Sequence, residues 1–128
     1  MFTACVYNFW NGVAVDCKAD EEIVTDKDGY YTLVVAEDQD MPKNAKDNKD
    51  YTMLDWGPFI DGGISYRNLF RDSPHNELMR EAIETGSVPE GLDPGYVPVT
   101  AHCPSSVFKK GGQKGAEECI AWDLAHNK

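Results

Sequence analysis

Cysteine thiols are the most reactive side chains in this sequence, and their positions form two local pairs. Cys5 lies a short distance before Cys17, and Cys103 lies a short distance before Cys119. The dipeptide Asn11-Gly12, which is typical of β-hairpin turns, falls midway between the first two. We therefore predict two local disulfides, with free buried thiols as the alternative. A zinc site is disfavoured because no CxxC-type spacing is present.

Nucleophilic and metal chemistry find little support in the positions of the histidines. His102 is adjacent to Cys103, but neighbouring residues on a strand point to opposite faces and make poor catalytic partners. His75, His102 and His126 show no spacing typical of a metal site. GxSxG, HExxH, P-loop and dinucleotide-binding motifs are also missing. We expect no catalytic residues, metal or cofactor, and an enzyme is the less favoured alternative.

Carboxylates are abundant, and one segment is similar to the opening of a calcium loop. Residues 26–29 read Asp-Lys-Asp-Gly, but the glutamate that closes such a loop is missing and strand-like residues follow. A hairpin turn explains the segment better than a calcium site. The acidic groups at 20–22 and 37–40 are interpreted as solvated surface, with weak calcium binding as the least favoured alternative.

Two sets of aromatic residues are candidates for binding. Phe9 and Trp10 precede the Asn11-Gly12 turn, where a hairpin tip is normally polar, so they either fold back onto the sheet or contact a partner. Trp56, Tyr66 and Arg67 are the candidates for a ligand pocket, since an arginine on a strand can stack on an indole ring. The alternative for Arg67 is a structural cation–π contact or a salt bridge with Asp55 or Asp61.

Strand patterns dominate the elements that must position these residues. Alternating or β-branched runs predict seven strands, over residues 2–8, 13–17, 23–25, 30–36, 51–56, 64–70 and 96–101. Ser73-Pro74 and the apolar stripe at Leu78, Met79, Ala82 and Ile83 predict a helix that ends at Gly86. A short second helix is expected over 116–124. Residues 37–50 are predicted to form an exposed, mobile loop.

Length and composition favour one folded domain over residues 1–128. We expect a mainly β fold, an antiparallel sandwich or partly open barrel of about seven strands with one or two short helices. The formal net charge of −10 argues against nucleic acid as a partner, because phosphate binding requires clustered cations. No apolar run is long enough to span a membrane.

Motifs along these strands are similar to those of one protein group. They are Thr3-Ala4-Cys5-Val6-Tyr7, residues 15–20 (Val-Asp-Cys-Lys-Ala-Asp), residues 28–35, Leu54-Asp55-Trp56-Gly57-Pro58 and Tyr66-Arg67-Asn68-Leu69. Their order resembles the C-terminal part of a group of uncharacterised, exported bacterial proteins with Tyr-Trp-Ser-x-Cys, Asp-Cys, Gly-Tyr-Tyr-Thr, Trp-Gly and Arg-Asn motifs. The resemblance implies a β-rich, sandwich-like domain with cysteines matching Cys5 and Cys17, and it implies no chemistry.

The chain departs from that group in ways that bear on function. Phe2-Thr3-Ala4 replaces the aromatic-Ser pattern, and the large N-terminal portion of the group is missing. The first strand is therefore expected to have an unpaired edge, as in a fragment or a chain that docks on another protein.

Disulfides imply an oxidising compartment, although residues 1–10 do not resemble a signal peptide. We therefore expect a processed product, a domain of a longer protein or, failing both, a cytosolic chain. The favoured expectation is a non-catalytic extracytoplasmic module (secreted, periplasmic or cell-surface) that binds a protein partner or forms a homo-oligomer. A small-molecule or glycan binding or processing domain with a pocket near Trp56, Tyr66 and Arg67 is the alternative.

Overall fold

The computed structural model describes residues 2–41, 50–68, 74–92, 98–108 and 111–127. These ranges contain five β-strands and two α-helices. They are β1 (Phe2–Asn8), β2 (Ala14–Ala19), β3 (Leu33–Ala36), β4 (Thr52–Asp55), β5 (Gly62–Asn68), α1 (His75–Thr85) and α2 (Gly112–His126). Two short 3-10 turns, Asp20–Glu22 and Asp38–Asp40, lie between strands. The mainly β composition with two helices is as predicted.

The first sheet has the order β2-β1-β5 and is antiparallel throughout. β1 and β2 form the predicted hairpin, in which Cys5 pairs directly with Cys17 and the two are joined by a disulfide. Gly12 adopts the positive φ of 68° that the reversal requires. Because β1 lies between β2 and β5, the prediction that the first strand has an unpaired edge is wrong. Its second neighbour comes from far along the chain, where local sequence patterns give no information about pairing.

The second sheet consists of β3 and β4, which run parallel with Leu33 opposite Thr52 and Val35 opposite Leu54. This direction corrects the expectation of purely antiparallel pairing. Alternation of apolar residues predicts a strand but not the direction of its partner. A parallel pair needs a long connection that returns the chain to its starting side, and residues 37–51 provide that length.

The two sheets share a hydrophobic cluster. Ala4 and Val6 of β1 are completely buried against Leu54 of β4, which is also completely buried. Partly buried apolar residues surround these three, namely Val15, Leu33, Val35, Trp56 and Tyr66. One face of the β3–β4 sheet therefore packs on the first sheet.

The other face of the β3–β4 sheet packs towards α2. Tyr51 and Phe108 are buried there and meet edge to face, with ring centroids 5.2 Å apart. Val34 and Met53 contribute from the two strands, and Ala116 contributes from the helix. The second disulfide, Cys103–Cys119, joins the segment 98–108 to the same helix. Both cysteine pairs are thus bonded as their spacing predicted, and none of the four cysteines is free.

About seven strands were expected, and the described residues contain five, which do not close into a barrel. The predicted strand at 23–25 is reduced to a single bridge between Thr25 and Tyr31. The carboxylate of Asp26 accepts hydrogen bonds from the backbone N–H groups of Asp28 and Tyr30. These bonds to a side chain take the place of further backbone hydrogen bonds between two strands. No strand is present at 98–101. Residues 42–49, 69–70 and 96–97 of the predicted segments lie outside the described residues.

Both predicted helices are present, with different ends. α1 begins at His75 with Pro74 as its N-cap, and Ser73 lies outside the described residues. Gly86 caps its C-terminus with a φ of 68°, and its N–H donates to the carbonyl of Ala82. α2 begins four residues earlier than expected, at Gly112, although glycine is a poor helix former. In the described ranges, no helix combines the length and the apolar character that a membrane span requires.

Candidate functional site

A shallow surface groove of about 350 Å³ brings together residues from two predicted sites. We call it the aromatic groove, and its lining residues are Phe9, Trp10, Trp56, Ile60, Asp61 and Gly62. The hairpin tip after β1, the turn after β4 and the first residue of β5 therefore meet at one place. Candidates for partner binding and ligand binding share this surface.

The hairpin tip is fixed by Asn8, which is buried at the end of β1. Its side-chain oxygen accepts the backbone N–H groups of Trp10, at 2.9 Å, and Asn11, at 3.3 Å. An asparagine that bonds its own chain in this way is typical of tight turns. These hydrogen bonds within the hairpin tip keep Phe9 and Trp10 exposed even when no other molecule is bound.

Asp61 connects the tip to the approach of β5. Its carbonyl accepts the backbone N–H of Phe9 at 3.2 Å, and its carboxylate accepts the indole N–H of Trp10 at 3.0 Å. The rings of Phe9 and Trp10 meet edge to face with centroids 5.9 Å apart. These contacts orient two large aromatic side chains that remain mostly exposed.

Trp56 forms another part of the groove wall and is held in place by contacts with the rest of the protein. Its indole ring covers Gly62 so closely that a Cβ atom there would lie 2.7 Å from the ring. Its indole N–H donates to the carbonyl of Phe59 at 2.8 Å. The ring also packs on the hydrophobic cluster of Ala4, Val6 and Leu54, which makes this wall continuous with the core.

The groove is lined mainly by apolar side chains and carries one ionisable lining residue. Trp10 is 78% exposed and Ile60 is 95% exposed, which is high for side chains of this size. Asp61 is the single acidic or basic residue among the six lining residues, and it too is exposed. A single carboxylate among apolar side chains can orient a bound ligand.

Tyr66 and Arg67 are not part of this groove. The ring of Tyr66 lies beside those of Phe2 and Tyr31, and its hydroxyl is 2.8 Å from the Tyr31 hydroxyl. Arg67 is exposed and follows Tyr66 on β5, so the two side chains point to opposite faces of the sheet. The structure therefore joins Trp56 with Phe9 and Trp10 in the groove. Tyr66, which packs on the same hydrophobic cluster as Trp56, and Arg67 lie outside the groove.

The alternative for Arg67 was an ion pair with Asp55 or Asp61, and both carboxylates accept hydrogen bonds from other groups. Asp55 accepts one from the backbone N–H of Gly57 at 2.8 Å, and Asp61 accepts one from the indole N–H of Trp10. Across the described parts of the chain, no group of three or more His, Cys, Asp or Glu side chains is placed to hold a metal.

Two lining residues, Ile60 and Gly62, and the supporting Asn8 were not singled out from the sequence, and Asp61 was named only as a possible ion-pair partner of Arg67. Asn8 has a recognisable signal, because asparagine just before a turn often bonds the turn backbone. Asp61 and Ile60 have none, since their proximity to the hairpin tip results from the pairing of β1 with β5.

Comparison of the chain with protein-family models, with curated proteins and with solved structures finds no match.

Proposed function

We propose that this protein is a non-catalytic, extracytoplasmic interaction module that binds a protein partner through the aromatic groove. The observation that carries the proposal is the outward display of Trp10 and Ile60 on a hairpin tip that internal hydrogen bonds already hold. Exposed tryptophan is enriched among the residues that contribute most to protein interfaces. A tip fixed in advance loses little conformational entropy on binding.

Two disulfides support the extracytoplasmic part of the proposal, since stable disulfides are typical of oxidising environments. Secretion, the periplasm and the cell surface all satisfy this requirement. We also propose that the chain is related to the exported bacterial proteins that its motifs resemble, and that its two sheets form a sandwich-like domain. The hydrophobic cluster shared by the two sheets supports the second point. The partner is a different protein or a second copy of the chain.

The test compares Trp10→Ser with Ile83→Ser, a matched control on α1 that removes an apolar side chain 79% exposed. Native mass spectrometry of the unreduced protein, isolated from its source, first identifies the complex. We expect Trp10→Ser to retain the melting temperature and to lose the complex, because its side chain contributes little to folding. Ile83→Ser should retain both.

Two results would contradict the proposal. Equal retention of the complex by both variants would place the interface elsewhere. Unfolding of Trp10→Ser would mean that the indole belongs to the core instead of a contact surface.

Glycan binding is a second candidate, favoured by the presence of Trp10, Trp56 and a carboxylate in one groove. Indole faces can cover the apolar face of a sugar ring, and the Asp61 carboxylate can accept a hydrogen bond from a sugar hydroxyl group. An oligosaccharide array probed with the wild-type protein and with Trp10→Ser tests this candidate. Binding that Trp10→Ser abolishes would favour a glycan over a protein partner.

A further inference from the structure

The side-chain N–H donors of the aromatic groove already have acceptors within the protein. Both indole N–H groups are used within the protein, that of Trp10 by Asp61 and that of Trp56 by the carbonyl of Phe59. The backbone N–H groups of Phe9 and Trp10 are used as well, by Asp61 and Asn8. A ligand that must accept hydrogen bonds therefore finds no unused side-chain N–H donor among the six lining residues.

Asp61 provides the charge that a donor ligand would need. It is the one ionisable residue among the six that line the groove, and the indole N–H of Trp10 contacts its Oδ2 atom and fixes the carboxylate. The chain as a whole carries a formal charge of −10. Complementary charge favours a cationic ligand and disfavours an anionic one, both during approach and after docking.

The aromatic walls favour the same class of ligand. Cations are attracted to the faces of tryptophan and phenylalanine rings, and Phe9, Trp10 and Trp56 all line the groove. A guanidinium group is planar and weakly hydrated, so it can lie flat on an indole ring while donating two hydrogen bonds to one carboxylate. A lysine ammonium group offers charge without that planar stacking.

We propose that the aromatic groove binds an arginine side chain of the partner protein, with its guanidinium group between the indole rings and Asp61. This inference rests on the proposed protein-binding function and specifies the chemistry of the partner. Apolar residues beside that arginine would contact Ile60, which is almost fully exposed.

The test selects ligands without assuming a partner. A library of random peptides displayed on phage is panned on the full-length, oxidised protein, and peptides that also bind Trp10→Ser are discarded. We expect the remaining peptides to be enriched in arginine. Replacing that arginine by citrulline, which keeps the shape and removes the charge, should weaken binding about tenfold or more.

Asp61→Asn tests the protein side of the contact, because asparagine keeps an acceptor for the Trp10 indole while removing the charge. We expect a similar loss of peptide affinity, measured by isothermal titration calorimetry. Asp28→Asn, which neutralises an exposed carboxylate in a distant turn, is the control and should leave affinity unchanged.

The outcomes separate this inference from the function on which it rests. Peptides that depend on Trp10 but lack arginine, or whose affinity survives Asp61→Asn, would overturn the arginine proposal and keep the interaction module. Selection of no peptide that depends on Trp10 would contradict the protein-binding function itself.

Discussion

Single residues at points of close approach decide where the aromatic side chains of this protein lie. Gly62 allows the indole ring of Trp56 to lie on β5, which forms one wall of the aromatic groove. Gly115 has the same role in α2, where a Cβ atom would lie 2.6 Å from the buried ring of Phe108. Glycine is required at both positions by an aromatic neighbour, whereas helix or strand preference alone would favour other residues.

Gly115→Ala provides a test at this scale. In an exposed helix the change would stabilise the protein by about 1 kcal/mol. Here we expect a loss of about 1 to 3 kcal/mol in the free energy of unfolding, because the added methyl group collides with a ring that Tyr51 holds in place. Chemical denaturation measures the difference. Lys114→Ala, an exposed neighbour, is the control, and stabilisation by both changes would contradict the packing argument.

At the scale of elements, each disulfide joins two segments that are close in sequence. Cys5–Cys17 links β1 to β2 and so supports the hairpin whose tip carries Phe9 and Trp10. Cys103–Cys119 links the segment 98–108, including the buried Phe108, to α2. Both bridges restrict the unfolded chain and stabilise the protein mainly in that way.

The double variant Cys5→Ser/Cys17→Ser removes the first bridge without leaving a free thiol. We expect the free energy of unfolding to fall by about 2 to 5 kcal/mol, with a lower melting temperature in calorimetry. Wild-type protein under a reductant that opens both bridges should lose at least as much. A melting temperature equal to that of the oxidised wild type would show that the bridge does not support the fold.

On the scale of the molecule, Leu54 connects the two sheets. It is completely buried between Ala4 and Val6 of the first sheet, while its own strand pairs with β3 in the second. The Trp56 wall of the groove follows two residues later and packs on the same cluster. Stability of the core and geometry of the groove are therefore linked through the end of β4.

Leu54→Ala tests this link. We expect a loss of about 2 to 5 kcal/mol, because a large side chain is removed from a site that cannot collapse without moving both sheets. Leu124→Ala, at an exposed position of α2, is the matched control and should change stability by about 0.5 kcal/mol or less. Equal effects of the two substitutions in denaturant titrations would show that the sheets do not share a core at Leu54.

Local patterns in the sequence determined several parts of this structure. The β1–β2 hairpin, the strands β4 and β5, the end of α1 at Gly86 and both cysteine pairs follow from turn residues, alternation and spacing within short segments. The same patterns identified Phe9, Trp10 and Trp56 as unusual aromatic residues. Such features are predictable because the interactions that create them lie within short segments, the two disulfides having sequence separations of 12 and 16 residues.

Tertiary structure alone decided how these parts combine. The parallel direction of β3 and β4, the central place of β1 and the early start of α2 at Gly112 all depend on partners distant in sequence. The aromatic groove does too, since Asp61 reaches Trp10 only through the pairing of β1 with β5. A strand's sequence records which face is apolar but not which strand lies beside it, because packing energy depends on surfaces that meet only after the chain has folded.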